Sequence, residues 1–315
     1  MGRKSRYLML TVDVEALPKR ASDDHVRRLM WGEQPGGRAG VREISALGKE
    51  FDLTHTFYVD YCGAFARKPE IDEVVKWLVQ AGEDVQLHTH PEYLPPEFWA
   101  EHGFEANPRM PNEYSSEKAA FAMKYFSDLL AQAKGEPVLG FRAGSFRWNA
   151  GMLEALAKAG IRLSSNNSVI SRNQGKCVYS EPTCYPFQWS NGVLEAPMTE
   201  KQFFPAFHKA LWGRMQYPFS EHFNKPFMRL LRPLGAGGQG SFQVMLLHSW
   251  SLLYWDENDY ATYRDDQRIE GYRKLLKKVA KDYDVITVPE FLDLQARGAF
   301  GDLKTVDVEL AALKA

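Results

Sequence analysis

Short apolar runs rich in β-branched and aromatic residues recur at 7–12, 54–59, 84–87, 138–141, 192–195, 243–247 and 284–288. Each reads as a buried strand. Between them the apolar positions take a helical period, which predicts helices over 69–81, 115–134, 149–159 and 263–281. Gly82, Gly135 and Gly160 follow three of these helices, where a left-handed residue ends the last turn. Alternating strand and helix predicts a parallel sheet with covering helices, open or closed into a barrel, and argues against an all-α or all-β chain. Two segments interrupt the alternation. One is 92–112, rich in proline and aromatics; the other is 197–240, with Phe203, Phe204, Trp212, Tyr217, Phe219 and the cluster Gly235-Ala236-Gly237-Gly238. Long loops of this kind more often carry function than architecture.

Composition narrows the picture. A chain of 315 residues with 44% apolar content can bury a large core, and no linker-like stretch divides it, so 1–315 is expected to be a single domain. Its 39 basic and 40 acidic residues nearly cancel, which removes the basic field that nucleic-acid binding needs. The apolar run from Tyr7 to Val12 stops at Asp13, too short for a signal-peptide core, and Arg6 stands where a myristoylation signal wants Ser or Thr. No transmembrane segment is expected. Three cysteines, Cys62, Cys177 and Cys184, are too few for a disulfide framework, so a reducing, cytoplasmic setting is expected.

Four polar constellations end predicted strands. In Thr11-Val12-Asp13-Val14-Glu15 the acids stand two apart, so in a strand they point the same way. Such a pair needs a cation or a proton between its members, unless both are simply solvated at a strand end. In His88-Thr89-His90-Pro91 two imidazoles share one side, a common half-shell for a catalytic divalent ion or, read blandly, two polar strand-end histidines. Arg142 closes the run Gly140-Phe141-Arg142-Ala143-Gly144-Ser145 and could orient a carboxylate, with adjacent backbone N–H groups facing an oxyanion. His248 follows the run Val244–Leu247. Each alone is as well explained structurally. Together they fall on the face where a parallel barrel gathers its active site.

These motifs resemble those of the polysaccharide deacetylases, carbohydrate esterase family 4, over about four fifths of the chain, from residue 11 to 249. The resemblance implies an irregular (β/α) barrel with long loops at its mouth and a metal-dependent hydrolase that removes an N-acetyl or similar acyl group from a sugar. It implies Asp13 as general base, Glu15, His88 and His90 as metal ligands, and Arg142 holding the base. The backbone at Ser145 would line the oxyanion site, and His248 would be the general acid. Zinc is the metal expected, with iron and nickel as alternatives. Gly160-Ile161-Arg162-Leu163-Ser164-Ser165 and Val193-Leu194-Glu195-Ala196-Pro197 add weaker matches. In the usual motifs the acids are adjacent, the histidines are four apart, and proline and tyrosine stand where Gly144 and Ser145 are. Glu92, four after His88, is therefore an alternative ligand to His90. The expected partner is an acetylated sugar, a sugar nucleotide or a glycan precursor. Tyr93, Trp99, Trp148, Trp189, Trp212, Trp250 and Trp255 are candidate sugar platforms, with core packing the simpler reading of each. Two other classes remain open at this point: a carbohydrate-binding protein on a deacetylase scaffold, and a non-haem iron oxygenase using two histidines and a carboxylate.

Overall fold

A computed structural model describes residues 6–202, 212–219 and 241–313. Ten strands form one sheet: β1 (Arg6–Val14), β2 (Thr56–Asp60), β3 (Asp84–Thr89), β4 (Gly140–Ala143), β5 (Leu163–Ser164), β6 (Phe187–Trp189), β7 (Leu194–Glu195), β8 (Ser241–His248), β9 (Asp284–Val285) and β10 (Thr305–Val306). The order is β8-β1-β2-β3-β4-β5-β7-β6-β10, with β9 also pairing with β1. Pairing is parallel except between β6 and β7. The mostly parallel sheet that the alternation of elements predicts curls into a half-barrel, the irregular barrel form that the family resemblance implies. Residues Leu8 to Val14 of β1 are all buried, as suits a strand covered on both faces.

The covering helices are α1 (Val41–Lys49), α2 (Lys68–Gln80), α3 (Ser116–Lys134), α4 (Ala150–Lys158), α5 (Asp266–Asp282) and α6 (Val288–Ala296). Their ends follow local chemistry. The Ser115 hydroxyl accepts the Lys118 N–H at 3.2 Å to start α3, and Gly135 closes it at φ +80°. Asn149 caps α4 through the Met152 N–H at 3.0 Å. Against one face α3 buries Ala119, Ala122, Met123, Phe126 and Leu130, which join the main core with Val12, Val14, Phe57 and Leu87.

Several boundaries differ from the sequence expectation for identifiable reasons. Tyr263 and Arg264 do not open a helix; they complete a strand, Ala261–Arg264, paired with Leu253–Trp255. The helix waits for Asp265, whose carboxylate accepts the N–H groups of Gln267 and Arg268, both at 3.0 Å. The run 284–288 yields only the short β9, because Thr287 and Glu290 form a capping box that turns the chain into α6. Gly192, at φ +90°, forms the turn between β6 and β7, which shortens the run 192–195 to Leu194–Glu195. Phe203, Phe204 and the cluster at 235–238 lie outside the described residues.

Candidate functional site

Strand register decides what meets what. Asp13 pairs with His248 of β8 on one side and with Tyr58 of β2 on the other. Asp60 pairs with His88, and His88 with Arg142. All are the last or nearly the last residues of parallel strands, so their side chains and that of Glu15, one step beyond β1, gather at one end of the sheet. Asp13, Glu15, His88, His90 and Arg142 are buried and His248 is half-buried.

The hydrogen bonds of the two imidazoles define the centre. His88 Nδ1 lies 2.7 Å from the Arg142 carbonyl, which can only accept, so Nδ1 carries the proton. His90 Nδ1 donates to Glu92 Oε1 at 2.9 Å. In a neutral ring each Nε2 is then a bare lone pair, yet both face the same carboxylate oxygen, Glu15 Oε1, at 2.8 and 3.0 Å. Acceptors cannot approach one another so closely unless a proton or a cation lies between them. Burial opposes charge on all three groups, but their mutual fields win. Glu15 is held well below the usual carboxylate range by His90 and His88, and His90 is pushed well above the usual imidazole range by Glu15 and Glu92. His88 moves up under Asp13 and Glu15 against the same burial. The group therefore demands positive charge. Two neutral imidazoles and a carboxylate converging on one point, each imidazole fixed by an outer acceptor, are a fitting donor set for a divalent ion. Asp13, Glu15 and His248 also offer ligand atoms within 4.8 Å of one another.

Beside this group, Arg142 Nη1 donates to Asp13 Oδ1 at 2.7 Å and to Thr11 Oγ1 at 3.0 Å. Nη2 of the same guanidinium donates to Ser165 Oγ at 3.0 Å, and its plane rests 4.4 Å from the Tyr58 ring centroid. Asp13 is thus held by a rigid cation, with its second oxygen 4.0 Å from His88 Nε2. His248 stacks on Trp250 at 4.9 Å. Burial lowers its basicity, and Glu15 and Asp13 offset only part of that loss. Ser145 and Phe146 are both left-handed, at φ +52° and +56°, a strained pair in a tight turn that re-aims backbone N–H groups. Gly144 allows that turn to lie on the centre, since a Cβ there would sit 2.5 Å from the His90 ring and from the Thr89 carbonyl.

All six side chains singled out from sequence come together here, and the turn at Ser145 lies beside them. Glu92 binds the outer nitrogen of His90, and it lies outside the candidate ligand groups formed by the described residues. Asp60 has no part in the sequence reading, and Glu195 enters it only within a weak strand match, without a role. Asp60 is wholly buried and accepts the N–H groups of Cys62, Gly63 and His90, each at 2.9 Å, which ties the end of β2 to the histidine motif. Glu195 accepts the N–H groups of Asn166 and Asn167 at 2.6 and 2.8 Å, and the Asn166 side chain in turn accepts the Ala143 N–H. Asp60 carried the same signal as Asp13, an acid closing a buried strand. Among the aromatic platforms, Trp99, Trp148 and Trp189 belong to the core, whereas Tyr93, Trp212 and Trp255 are partly exposed.

No protein-family profile matches the chain, and no curated protein matches it either. Among solved structures, the chain is similar to a candidate polysaccharide deacetylase from Mycobacterium smegmatis. The TM-score is 0.57 at 16% identity, over 96% of this chain and 94% of that one. It is also similar to a 4-alpha-glucanotransferase from Thermococcus litoralis, at a TM-score of 0.51 and 11% identity, covering 91% of this chain and 38% of that one. At such identities the likeness is one of fold, and the fold is that of the polysaccharide deacetylases.

Proposed function

We propose that this chain, built on a polysaccharide deacetylase fold, is a metal-dependent hydrolase that removes an N-acetyl or similar acyl group from a sugar. The observation that carries this reading is the pair of histidine Nε2 atoms on one Glu15 oxygen, with the Arg142-held Asp13 alongside. Glu15, His88 and His90 would be the ligands, and Glu92 the partner that orients His90. What a divalent ion, most simply zinc, supplies when bound there is Lewis acidity toward water and the acyl carbonyl.

The remaining work falls to side chains. Asp13 takes the proton of the attacking water, with Arg142 fixing its orientation. The backbone N–H at Ser145 receives the developing oxyanion. His248 hands a proton to the leaving amine; burial holds its basicity below the usual imidazole range, and the flanking carboxylates of Glu15 and Asp13 offset only part of that. We take residues 1–315 as one functional unit. We assign it to the cytoplasm because three cysteines in the sequence are too few for a disulfide framework; among the described residues no helix is long and apolar enough to cross a membrane.

The test is release of acetate from a library of acetylated sugars by metal-loaded protein, with elemental analysis of the same sample. Metal bound with turnover supports the hydrolase. Sugar binding without turnover in any metal form would make the chain a binding protein on this scaffold.

A further inference from the structure

One edge of the candidate site carries cations with few anions to match. Arg214 lies with its guanidinium 4.1 Å from the Phe146 ring centroid, directly on the strained turn beside His90. Its Nη2 donates to Ser168 Oγ at 2.6 Å and to Ser171 Oγ at 3.1 Å, and its Nε to Glu200 at 3.0 Å. Lys176 is anchored to the same point, since its backbone N–H donates to the Ser171 carbonyl at 3.0 Å. Arg147 follows Phe146 in the chain, its head donating to the Asn112 side chain at 3.3 Å. It stands three positions after Gly144, a reach of about 10 Å at most. Lys19 stands on the short turn leaving β1, four residues after Glu15.

Among the described residues, no carboxylate forms an ion pair with Lys19, Arg147 or Lys176; Arg214 alone has one, Glu200. Arg147 and Lys176 are half-buried rather than freely solvated. Burial and the neighbouring charges of Arg214, Arg147 and Lys19 lower the Lys176 ammonium below its usual range. Like charges held this way raise the energy of the empty protein, and a bound anion relieves it. Arg147 and Lys176, half-buried and without a carboxylate partner among the described residues, together with Arg214 exceed what one carboxylate neutralises. They suit a dianionic group, and guanidinium and ammonium donors together match phosphate oxygens.

We propose that Arg147, Lys176 and Arg214 bind the phosphate of a phosphorylated sugar, so that the substrate is a sugar phosphate or diphosphate rather than a neutral glycan. This rests on the hydrolase reading for its account of the substrate, although the anion site is testable without it. The probe is inorganic pyrophosphate, titrated calorimetrically into chelator-treated full-length protein so that no metal competes for it. Saturable, salt-sensitive binding is expected, weakened at least tenfold by Arg147→Gln with Lys176→Gln and unaffected by Lys277→Gln with Lys278→Gln on the exposed face of α5.

Pyrophosphate should also raise the melting temperature of the wild type but not that of the first double variant, which by losing repulsion should melt no lower when unliganded. Absence of saturable binding, or equal loss in both double variants, would overturn the proposal. Uridine diphosphate and a short isoprenyl diphosphate then distinguish a nucleotide-linked from a lipid-linked sugar. Acetate release by metal-loaded protein is scored separately. Turnover of neutral sugars without pyrophosphate binding sinks the anion site alone, and pyrophosphate binding without any turnover sinks the hydrolase alone.

Discussion

The two ends of the sheet each bury a histidine beside a glutamate, and they use the pair in opposite ways. At the N-terminal ends of β2 and β3, Glu83 spends its oxygens on the Ser45 hydroxyl at 2.6 Å and the His55 N–H at 2.8 Å. His55 Nε2 meets the Tyr272 hydroxyl at 2.8 Å, and burial pushes the imidazole down to about 3, so the ring is neutral. Local donors satisfy that carboxylate, and the group calls for no ion. At the C-terminal ends the outer nitrogens are satisfied, but two inner lone pairs and a carboxylate are left aimed at one another. A buried His–Glu pair is therefore not itself a sign of chemistry. The sign is a converging set of acceptors whose own neighbours have already fixed their protons elsewhere.

Four measurements press on this contrast. The largest effect is expected from His88→Ala combined with His90→Ala, which should remove the bound divalent ion and reduce acetate release to background, whereas His55→Ala should retain the ion. Undiminished metal in the double variant would mean that the upper cluster is as structural as the lower. Next, Asp13→Asn should keep the ion but lower the rate on the order of 100-fold to 10,000-fold, as loss of a general base does. Loss of metal in that variant, with retention in Glu15→Ala, would exchange the roles of the two acids.

Smaller losses should follow from the supports of His90. Glu92→Gln removes the charge on its Nδ1 partner, and Gly144→Ala drives a methyl into its ring. Each is expected to weaken metal affinity by about 10-fold to 100-fold in a chelator competition, the usual cost of disturbing a ligand's outer partner. The smallest effect belongs to the lower cluster and to stability alone. Glu83→Gln leaves one buried donor facing an amide NH2, at about 1–3 kcal/mol, with metal content unchanged.

The pH dependence of stability offers a second view of the lower end. Because the folded pKa of His55 lies below its unfolded value, the unfolded chain binds the extra proton between about pH 6.5 and 3. Stability should fall as pH drops through that window, at on the order of 1.4 kcal/mol per pH unit from this group. Glu83 works the other way once it protonates, since burial raises its folded pKa. Denaturant titrations of His55→Phe at several pH values should show a flatter acid limb than the wild type; an identical limb would mean that His55 is not buried neutral.

Much of this site was readable before any coordinates. Spacing two apart placed Asp13 with Glu15 and His88 with His90 on common faces, because a strand alternates its side chains. Strand-end position then placed both pairs with Arg142 and His248 at one mouth. The helix ends were just as legible where a single glycine closes them, as at Gly82, Gly135 and Gly160, all at positive φ. The start of α5 and the end of β9 differ from the apolar periodicity because Asp265 and Thr287 cap the helices that follow them, and so stop one element and start the next.

What the sequence determined by itself was the alternation of strand and helix, the faces of the paired acids and histidines, and the short-range caps, all set by contacts within a few residues. Tertiary structure alone decided which nitrogen of each histidine is free, since the acceptors that fix the protons are the Arg142 carbonyl, 54 positions along the chain from His88, and a Glu92 carboxylate that spacing alone could equally have made a ligand. It also decided the roles of Asp60 and Arg214, whose partners come from other strands and loops. Register and loop closure set those meetings, and neither leaves a periodic trace in one sequence.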